Sequence, residues 1–425
     1  MRDGAEDMED RFARGRCRVD PFLQADQVNA SALEILDGLE QLLQRPAKAV
    51  EAVDAQAVAG LGMIDQLARA GRLARSPETA SANTRMAPAA SSFCEAHEKL
   101  DAAAFKRLHR EVLARAPAGT PWKGHRVFAV DGSKINLPRP LAGSGYRAPS
   151  EGAHCPQGLV SCLYDAIERI PVDFDLFAHG SERAAALTDL DSAAEGDIVV
   201  YDRGYYSREM ILAHADRGLE CAFRLQRNAC AAFIDSSETD ATVELRAPRD
   251  APPGRRGRSL RVRLVKYVAA DTEFRLATTL LDERKYPAGA LADLYRRRWE
   301  VEEFYGVAKE LIGEFRGRTE RGVRQELYAA FTLIAVSRLF ANRCEADVNQ
   351  GDGHRPDWRA TFRNGMRLLA REVEAMFLAH GAFVAESVAR IITGLSRGLQ
   401  RERPGRSHPR KSMKPRSKWM NRTNA

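Results

Sequence analysis

Two short apolar stretches, each followed directly by an aspartate, constrain the fold of this chain more than any other feature. VFAV (127–130) runs into Asp131, and the stretch DIVVY (197–201) runs into Asp202. Short apolar runs bounded by polar residues and glycine predict buried strands. The segment 181–190 and other helical segments alternate with such strands. This order predicts an α/β fold, a mixed sheet flanked by helices.

The position of the two aspartates predicts a site. The ends of strands in an α/β sheet are where ligand sites form, and a rigid strand aims its last side chain into the cleft. Taken singly, an aspartate after a strand is also typical of a turn or a helix cap. Asp131 and Asp202 together therefore favour a site more than either does alone.

A charged segment near the middle of the chain, YRRRWEVEEFYGVAK (295–309), contains no proline and one late glycine, and predicts a single helix. At about 100° per residue, one stripe of this helix holds a phenol, two cations and a carboxylate. Such a stripe suits a cation and a phosphate better than a core, although a solvated charged helix remains the alternative. The four residues of the stripe are Tyr295, Arg298, Glu302 and Lys309. Trp299, one position away, is predicted to pack against the sheet.

If the three predicted acids lie close together in the fold, they predict a metal-binding site. Asp131, Asp202 and Glu302 would repel one another, so they stay ionised together only if a cation neutralises them. Oxygen-only ligands select Mg²⁺ or Mn²⁺. Two such ions, about 4 Å apart, would activate an attacking oxygen and stabilise a leaving one. Lys134 is a further candidate for a phosphate contact, with an ordinary surface lysine as the alternative.

The net charge of +7 is distributed unevenly along the 425 residues. From Arg397 onward there are ten Arg or Lys against one acid, so the tail carries +9 and the rest of the chain carries −2. A basic, proline-containing tail with few apolar residues predicts disorder and attraction to polyanions such as nucleic acid. An arginine-rich stretch, Arg255 to Arg263, suggests a second DNA-backbone contact or a solvated loop.

The cysteines and the N-terminal residues predict the cellular compartment of the protein. The seven cysteines form no C-x-x-C pair, which favours reduced thiols in the cytoplasm and argues against a zinc site. The first residues, MRDGAEDMEDRFARGR, are charged rather than signal-like, and no apolar run is long enough to span a membrane. We therefore expect a cytoplasmic bacterial protein without a membrane partner, associated with the nucleoid when bound to DNA.

Three blocks in order carry a family resemblance: AVDGSKINLP around Asp131, VVYDRGYYS around Asp202, and the pattern Y-x2-R-x3-E-x6-K in residues 295–309. The chain resembles DDE transposases of the insertion-sequence-four type over about residues 91–339. The resemblance implies a ribonuclease-H-like catalytic core. It also implies that Asp131, Asp202 and Glu302 are the catalytic, metal-binding triad.

The resemblance further implies that Tyr295, Arg298 and Lys309 hold the terminal phosphates of a transposon end. The implied reaction is metal-dependent cleavage at the 3′ ends, followed by attack of the freed 3′-hydroxyl on target double-stranded DNA. Because two ends must be joined together, a homodimer on paired ends is expected. Two alternatives stay open: a catalytically silent DNA-binding protein derived from a transposase, and a metal-dependent nuclease without strand transfer.

Relatives in this family cut the second strand through a hairpin and stack a flipped base on an aromatic side chain. The predicted β-rich insertion contains no tryptophan. Phe233, Tyr267 or Phe274 would have to serve instead, and the hairpin step is left open.

The sequence also predicts an order of segments. They are a disordered start (1–20), a helical N-terminal region with a possible role in DNA-end binding (21–120), the first part of the catalytic core (121–225), a β-rich insertion (226–287), the second part of the core with the charged helix (288–345), a helical C-terminal region (346–396) and the basic disordered tail (397–425).

Overall fold

A computed structural model describes residues 100–150, 152–178, 180–226, 229–269, 272–350, 358–378 and 382–401. The predictions for the start of the chain, for most of the helical N-terminal region and for nearly all of the basic tail lie outside the described residues.

An eight-stranded sheet forms the centre of the described chain, in the order β3-β2-β1-β4-β5-β8-β7-β6. Its strands are β1 (Val127–Asn136), β2 (Gln157–Asp165), β3 (Ile170–Phe177), β4 (Ile198–Tyr201), β5 (Glu220–Arg224), β6 (Asp240–Arg246), β7 (Ser259–Ala269) and β8 (Thr272–Thr278). A separate pair joins β9 (Trp358–Ala360) to β10 (Leu399–Arg401).

The first five strands give the sheet its mixed character. β1, β4 and β5 run parallel to one another, whereas β2 is antiparallel to both β1 and β3. An order of 3-2-1-4-5 with these directions is the ribonuclease-H-like arrangement. The predicted fold class, a mixed α/β sheet flanked by helices, is therefore confirmed.

The strands of the 226–287 segment extend this same sheet. β8 is antiparallel to β5, with Ala222 opposite Thr278, and β7 and β6 follow outward. The segment also contains a short helix, Ala231–Ile234, which the sequence did not predict. The inserted strands are thus joined to the central sheet by a continuous ladder of backbone hydrogen bonds.

Helices cover both faces of the sheet. They are α1 (Ala103–Ala114), α2 (Glu182–Asp189), α3 (Arg208–Ala215), α4 (Ala231–Ile234), α5 (Ala288–Arg296), α6 (Trp299–Ile312), α7 (Glu320–Gln350), α8 (Phe362–Leu378) and α9 (Ala382–Arg397). One apolar core packs α1, α5, α6 and α7 against one face, and a second packs α2 and α3 against the other. The apolar segment 325–341 lies within α7 and is buried along nearly its whole length.

The prediction of a single helix over 295–309 is wrong. α5 ends at Arg296 and α6 begins at Trp299. Between them the backbone N–H groups of Arg297, Arg298, Glu300 and Val301 each donate to the carbonyl three residues earlier, not four. These tighter turns rotate α6 relative to α5. Arg297 and Arg298 keep right-handed helical dihedral angles, so residue preference alone gives no sign of the break.

Candidate active site

The two aspartates lie side by side because of the register between β1 and β4. The paired residues are Val127 with Ile198 and Ala129 with Val200, and Asp131 and Asp202 each follow two positions beyond the last pair. Asp202 directly follows β4, but the prediction that Asp131 ends a strand is wrong, because β1 continues through Asp131 to Asn136 in its pairing with β2. Since side chains alternate along a strand, both carboxylates continue the face of Ala129 and Val200. That face is the one covered by α5 and α6.

α6 brings the third predicted acid to these strand ends. Val301 and Phe304 are buried in the core beneath the helix. The hydroxyl of Tyr305 lies 2.9 Å from the Asp131 carbonyl oxygen and 3.0 Å from the Val160 carbonyl oxygen, and donates its hydrogen between them. The first turn of α6, which carries Glu302, is therefore fixed to β1 and β2. We call Asp131, Asp202, Glu302, Arg298 and Tyr295 the strand-end site.

Arg298 is a buried cation at the centre of the strand-end site. Its Nη2 donates to Glu302 Oε1 at 2.7 Å, while its Nε is buried without a hydrogen-bond partner. Burial alone would lower the pKa of Arg298. Tyr295, Glu302 and Asp202 outweigh burial, and the pKa lies above its ordinary value. The guanidinium stays charged and keeps a free donor directed inward.

Tyr295 adds a neutral donor. Its hydroxyl donates to Asp202 Oδ1 at 3.5 Å, the outer limit of a hydrogen bond. Burial raises the pKa of Tyr295 to about 12, with Arg298 opposing and Asp202 reinforcing the shift. The phenol is therefore protonated at neutral pH and can donate to an oxygen closer than Asp202.

Asp131 lies in a desolvated, acidic environment. Its pKa is raised to about 6, chiefly by burial, with Glu302 and Glu182 adding to the shift and the Gly132 N–H and Arg298 opposing it. Asp131 Oδ1 accepts the Gly132 N–H at 2.9 Å. A nearby cation would stabilise the ionised form of such a desolvated carboxylate more than that of an exposed one.

The donor chemistry of the strand-end site fits a hard divalent cation such as Mg²⁺, because every candidate ligand is a carboxylate oxygen. The donors are not gathered into a finished cage. In the part of the chain that the structure describes, no three His, Cys, Asp or Glu side chains stand close enough to hold a metal ion. Glu302 is bonded to Arg298, so recruiting it as a ligand requires that contact to loosen or to be shared.

Two residues beside Asp131 were missed by the sequence analysis. A Cβ placed on Gly132 would lie 3.0 Å from Glu182 Cγ and 3.4 Å from the Tyr205 hydroxyl. Glu182 is the first residue of α2, and Tyr205 follows Asp202 by three positions. Tyr205 lies within the VVYDRGYYS block, but nothing in the sequence separates it from Tyr206, and Glu182 had no signal beyond a helix start.

The two predicted lysines lie away from this cluster. Lys134 is exposed, and strand alternation places it on the face of β1 opposite to Asp131. Lys309 is exposed in the last turn of α6. DNA bound at the strand-end site would contact these two lysines only if it also covered the neighbouring surfaces on which they lie.

The expectation for Trp299 is wrong, and three arginines of the stretch 255–263 are paired with acids. Trp299 does not pack in the core: it is 46% exposed, with the Arg298 guanidinium 5.6 Å from its ring centroid. The arginine-rich stretch is not a free basic stripe either. Arg255 and Arg258 both pair with Asp216, and Arg263 is buried with Asp240.

Aromatic side chains of the 226–287 segment approach the strand-end site from one side. The rings of Tyr267 and Phe274 stack at a centroid distance of 5.3 Å, and Phe274 lies 6.5 Å from Tyr295. Arg224 covers the Phe274 ring at 4.7 Å. Phe233 is buried in the other core, so Tyr267 and Phe274 are the better placed of the three predicted aromatics.

Comparisons with known proteins identify a family and similar relatives. The family model described as the transposase DDE domain matches residues 122–336, half of the chain. The transposase InsG for insertion sequence element IS4 of Escherichia coli (strain K12) is 23% identical over 277 residues, which are 59% of this chain and 61% of that protein. The chain therefore spans less than two thirds of that relative.

One solved structure is similar to this chain over most of the length of both proteins. It is the cryo-EM structure of the piggyBac transposase synaptic complex with hairpin DNA, at 11% sequence identity and a TM-score of 0.45, covering 93% of this chain and 88% of that one. No described helix is long and apolar enough to cross a membrane.

Proposed function

Because this chain belongs to the transposase DDE domain family, we propose that it catalyses metal-dependent cleavage of DNA at the ends of a mobile element and transfer of the freed ends into target DNA. Both reactions are phosphoryl transfers, for which positioning and neutralisation of charge supply most of the catalysis. Asp131, Asp202 and Glu302 are the proposed catalytic residues.

One observation carries this proposal. Asp131 and Asp202 stand at the same level just beyond the parallel pairing of β1 with β4, on the face where α6 carries Glu302 and Arg298 directly precedes that helix. A turn or cap aspartate would not need a counterpart at the same level on the next strand. The combination supports a site for a negatively charged ligand and its cation.

The side chains of the strand-end site have distinct proposed tasks. A divalent cation held by Asp131, Asp202 and Glu302 would supply charge neutralisation and an activated attacking oxygen. Arg298, with its inward Nε, donates to a phosphate oxygen of the bound DNA. Tyr295 donates to another phosphate oxygen in place of its long contact to Asp202.

Neighbouring surfaces extend the proposed contact with double-stranded DNA. Lys309 lies farther along α6 and would meet the backbone beyond the cleaved bond, and Lys134 would do so on the other face of β1. The stacked pair Tyr267 and Phe274 offers a ring platform beside Tyr295 for an unpaired base. Two ends must be joined, so we propose that a homodimer holds them.

The test is cleavage of a plasmid that carries the terminal inverted repeats flanking the gene, with Mg²⁺ or Mn²⁺. Asp202→Asn removes an ionised ligand and little volume, so we expect cleavage to fall at least about 10³-fold while binding to the ends persists. Asp191→Asn, at an exposed carboxylate far from the strand ends, is the control. Undiminished cutting by Asp202→Asn would reject the assigned role.

Two further measurements separate the alternatives. A catalytically silent DNA-binding protein would bind the ends without cutting them under any metal condition. A nuclease without strand transfer would cut them but would not join a pre-cut 3′-hydroxyl end to a target plasmid. We expect both cutting and joining.

A further inference from the structure

Glu182 is fixed close to the strand ends by the start of α2. The Ser181 hydroxyl caps this helix by accepting the Ala184 N–H at 3.1 Å. The neighbouring Arg183 donates through Nε to the Gly204 carbonyl at 2.9 Å, in the loop directly after Asp202. The first turn of α2 is therefore tied to the loop that carries the second aspartate.

Gly132 leaves the space that Glu182 occupies. A Cβ at this position would stand 3.0 Å from Glu182 Cγ and 3.0 Å from Leu159 Cδ1, closer than side chains ordinarily pack. The absence of a side chain at Gly132 lets the stem of Glu182 lie against the backbone next to Asp131. Only the end of β1 separates the Glu182 carboxylate from the face that holds Glu302.

No ion pair among the described residues neutralises the Glu182 carboxylate. Among the described residues, its carboxylate makes no hydrogen bond and no ion pair, while Arg183 is turned to Gly204. Its negative charge contributes to the raised pKa of Asp131. Bringing an unneutralised carboxylate to a desolvated one costs free energy unless a cation accompanies them.

Tyr205 supplies an independent sign of a missing ligand. Its side chain is 2% exposed, and its hydroxyl is buried without any hydrogen-bond partner. That hydroxyl lies 3.4 Å from the position that a Cβ on Gly132 would take, and Glu182 Cγ lies 3.0 Å from the same position. Burial raises the pKa of Tyr205 well above its ordinary range, and Asp131 and Glu182 add to the shift, so the phenol is a donor without an acceptor.

An ordinary helix-start role for Glu182 makes a different prediction. Acids in the first turn of a helix favour its dipole, and Glu209 does the same on α3 behind the Ser207 cap. That role requires neither the close approach to Gly132 nor an unpartnered tyrosine hydroxyl. Glu209 therefore provides a matched control for the effect of charge at a capped helix start.

We propose that Glu182 is a fourth carboxylate of the strand-end site that strengthens binding of the divalent cation, and that the Tyr205 hydroxyl, which has no acceptor in this structure, donates to Glu182 once the cation is bound. This proposal rests on the proposed function, because it assumes that Asp131 and Asp202 hold that cation. Glu182 contributes to the site from the α2 face, and α6 contributes from the opposite face.

The experiment is titration of the full-length protein with Mn²⁺ alone, following free Mn²⁺ by electron paramagnetic resonance. We expect Glu182→Gln to weaken Mn²⁺ binding about 10- to 100-fold. Glu182→Asp, which keeps the charge, should retain most of the affinity, and Glu209→Gln should leave it unchanged. Unchanged affinity in Glu182→Gln would overturn the proposal.

Tyr205→Phe tests the orienting role. We expect it to weaken Mn²⁺ binding about threefold to tenfold in wild-type protein, as loss of one hydrogen bond predicts. In a Glu182→Gln background the same change should have little further effect, since the residue that it orients has lost its charge. Independent effects of the two substitutions would overturn the pairing.

Asp131→Asn in the same titration separates the two levels of inference. Weakened binding in Asp131→Asn with normal binding in Glu182→Gln would leave the proposed function standing and remove the fourth carboxylate. Normal Mn²⁺ binding in Asp131→Asn would contradict the proposed function itself. Far-ultraviolet circular dichroism of each variant confirms that it is folded before the titration is interpreted.

Discussion

Arg263 and Arg298 are both buried arginines paired with a carboxylate, yet their surroundings differ in a way that separates structure from function. All three guanidinium nitrogens of Arg263 donate hydrogen bonds. Nε and Nη2 donate to the two oxygens of Asp240 at 2.8 and 2.5 Å, and Nη1 donates to the Tyr286 carbonyl at 2.7 Å. Arg298 makes one bond to Glu302, and its Nε is left without a partner.

A buried arginine indicates a ligand site when some of its N–H donors have no partner within the protein, and a structural role when all of its nitrogens are bonded. A closed pair such as Arg263 with Asp240 joins β7 to β6 and to the segment before α5, and has no capacity left for a ligand. An open pair such as Arg298 with Glu302 is tolerated in the fold when a bound anion completes it. Substitutions in the closed pair should therefore act on stability, and substitutions in the open pair should act on cleavage.

Arg263→Ala should lower the free energy of unfolding by about 3–5 kcal/mol, because it leaves Asp240 and the Tyr286 carbonyl without their donor. Urea unfolding of the purified protein measures this. Arg261→Ala, two residues earlier on the same strand and exposed, should change stability by less than about 0.5 kcal/mol. Equal effects at the two positions would show that the closed pair contributes nothing special.

Arg298→Ala should reduce DNA cleavage about 10²- to 10³-fold while changing stability much less than Arg263→Ala does. Under the proposed function, its lost donors are needed by the bound phosphate and not by the fold. Initial rates of plasmid cleavage and urea unfolding measure the two effects. Arg296→Ala, at an exposed arginine of α5, is the control. A large loss of stability with normal cleavage would reverse the contrast.

Asp189 is a buried carboxyl with a hydroxyl partner instead of an arginine. Ser161 donates to it at 2.5 Å, and burial raises its pKa to about 8 against the effect of that bond. The folded protein holds a proton that the unfolded chain releases above about pH 4. Stability therefore falls as pH rises from about 4 towards 8.

Asp189→Asn removes this titration. We expect the variant to gain on the order of 2 kcal/mol over the wild type between pH 5 and pH 8, measured by urea unfolding at both values. Asp191→Asn, two positions away and exposed, should keep the wild-type pH dependence. A parallel pH profile for Asp189→Asn and the wild type would indicate that Asp189 is ionised in the folded protein.

Tyr295→Phe should have the smallest effect, a threefold to tenfold loss of affinity for the DNA end. It removes one donor and leaves the ring packed against its neighbours. A competition gel with the end duplex measures this, and Tyr267→Phe, which preserves the stacked ring, is the comparison. An unchanged affinity would show that Tyr295 serves the core alone.

The sheet and the end of β4 at Asp202 were predictable because short apolar runs followed by an acid leave few structural choices. The continuation of β1 past Asp131 to Asn136 was not, because it depends on pairing with β2. The split between α5 and α6 was not, since Arg297 and Arg298 are good helix formers and the break depends on packing against the sheet. The same limit applies to Arg263. Its burial depends on Asp240, 23 positions away, whose strand β6 was not predicted at all.

The candidate site was predictable only where chemistry and local pattern coincide. Tyr295, Arg298 and Glu302 stand out together because they share one short segment. Glu182 and Tyr205 reach Gly132 through the packing of α2 and of the loop after β4, and a single sequence records neither contact. Its size predicts a core position for Trp299, whereas the side chain is 46% exposed at the first position of α6, where the helix break falls.

The joining of β8 to β5 has a mechanical consequence. The backbone ladder from β7 through β8 and β5 to β4 is unbroken, so a load on the tip between β7 and β8 is transmitted to the strand that precedes Asp202. A hinged flap would absorb such a load instead. Under the proposed function, a nucleic acid seated on this outer edge would therefore also adjust the position of Asp202.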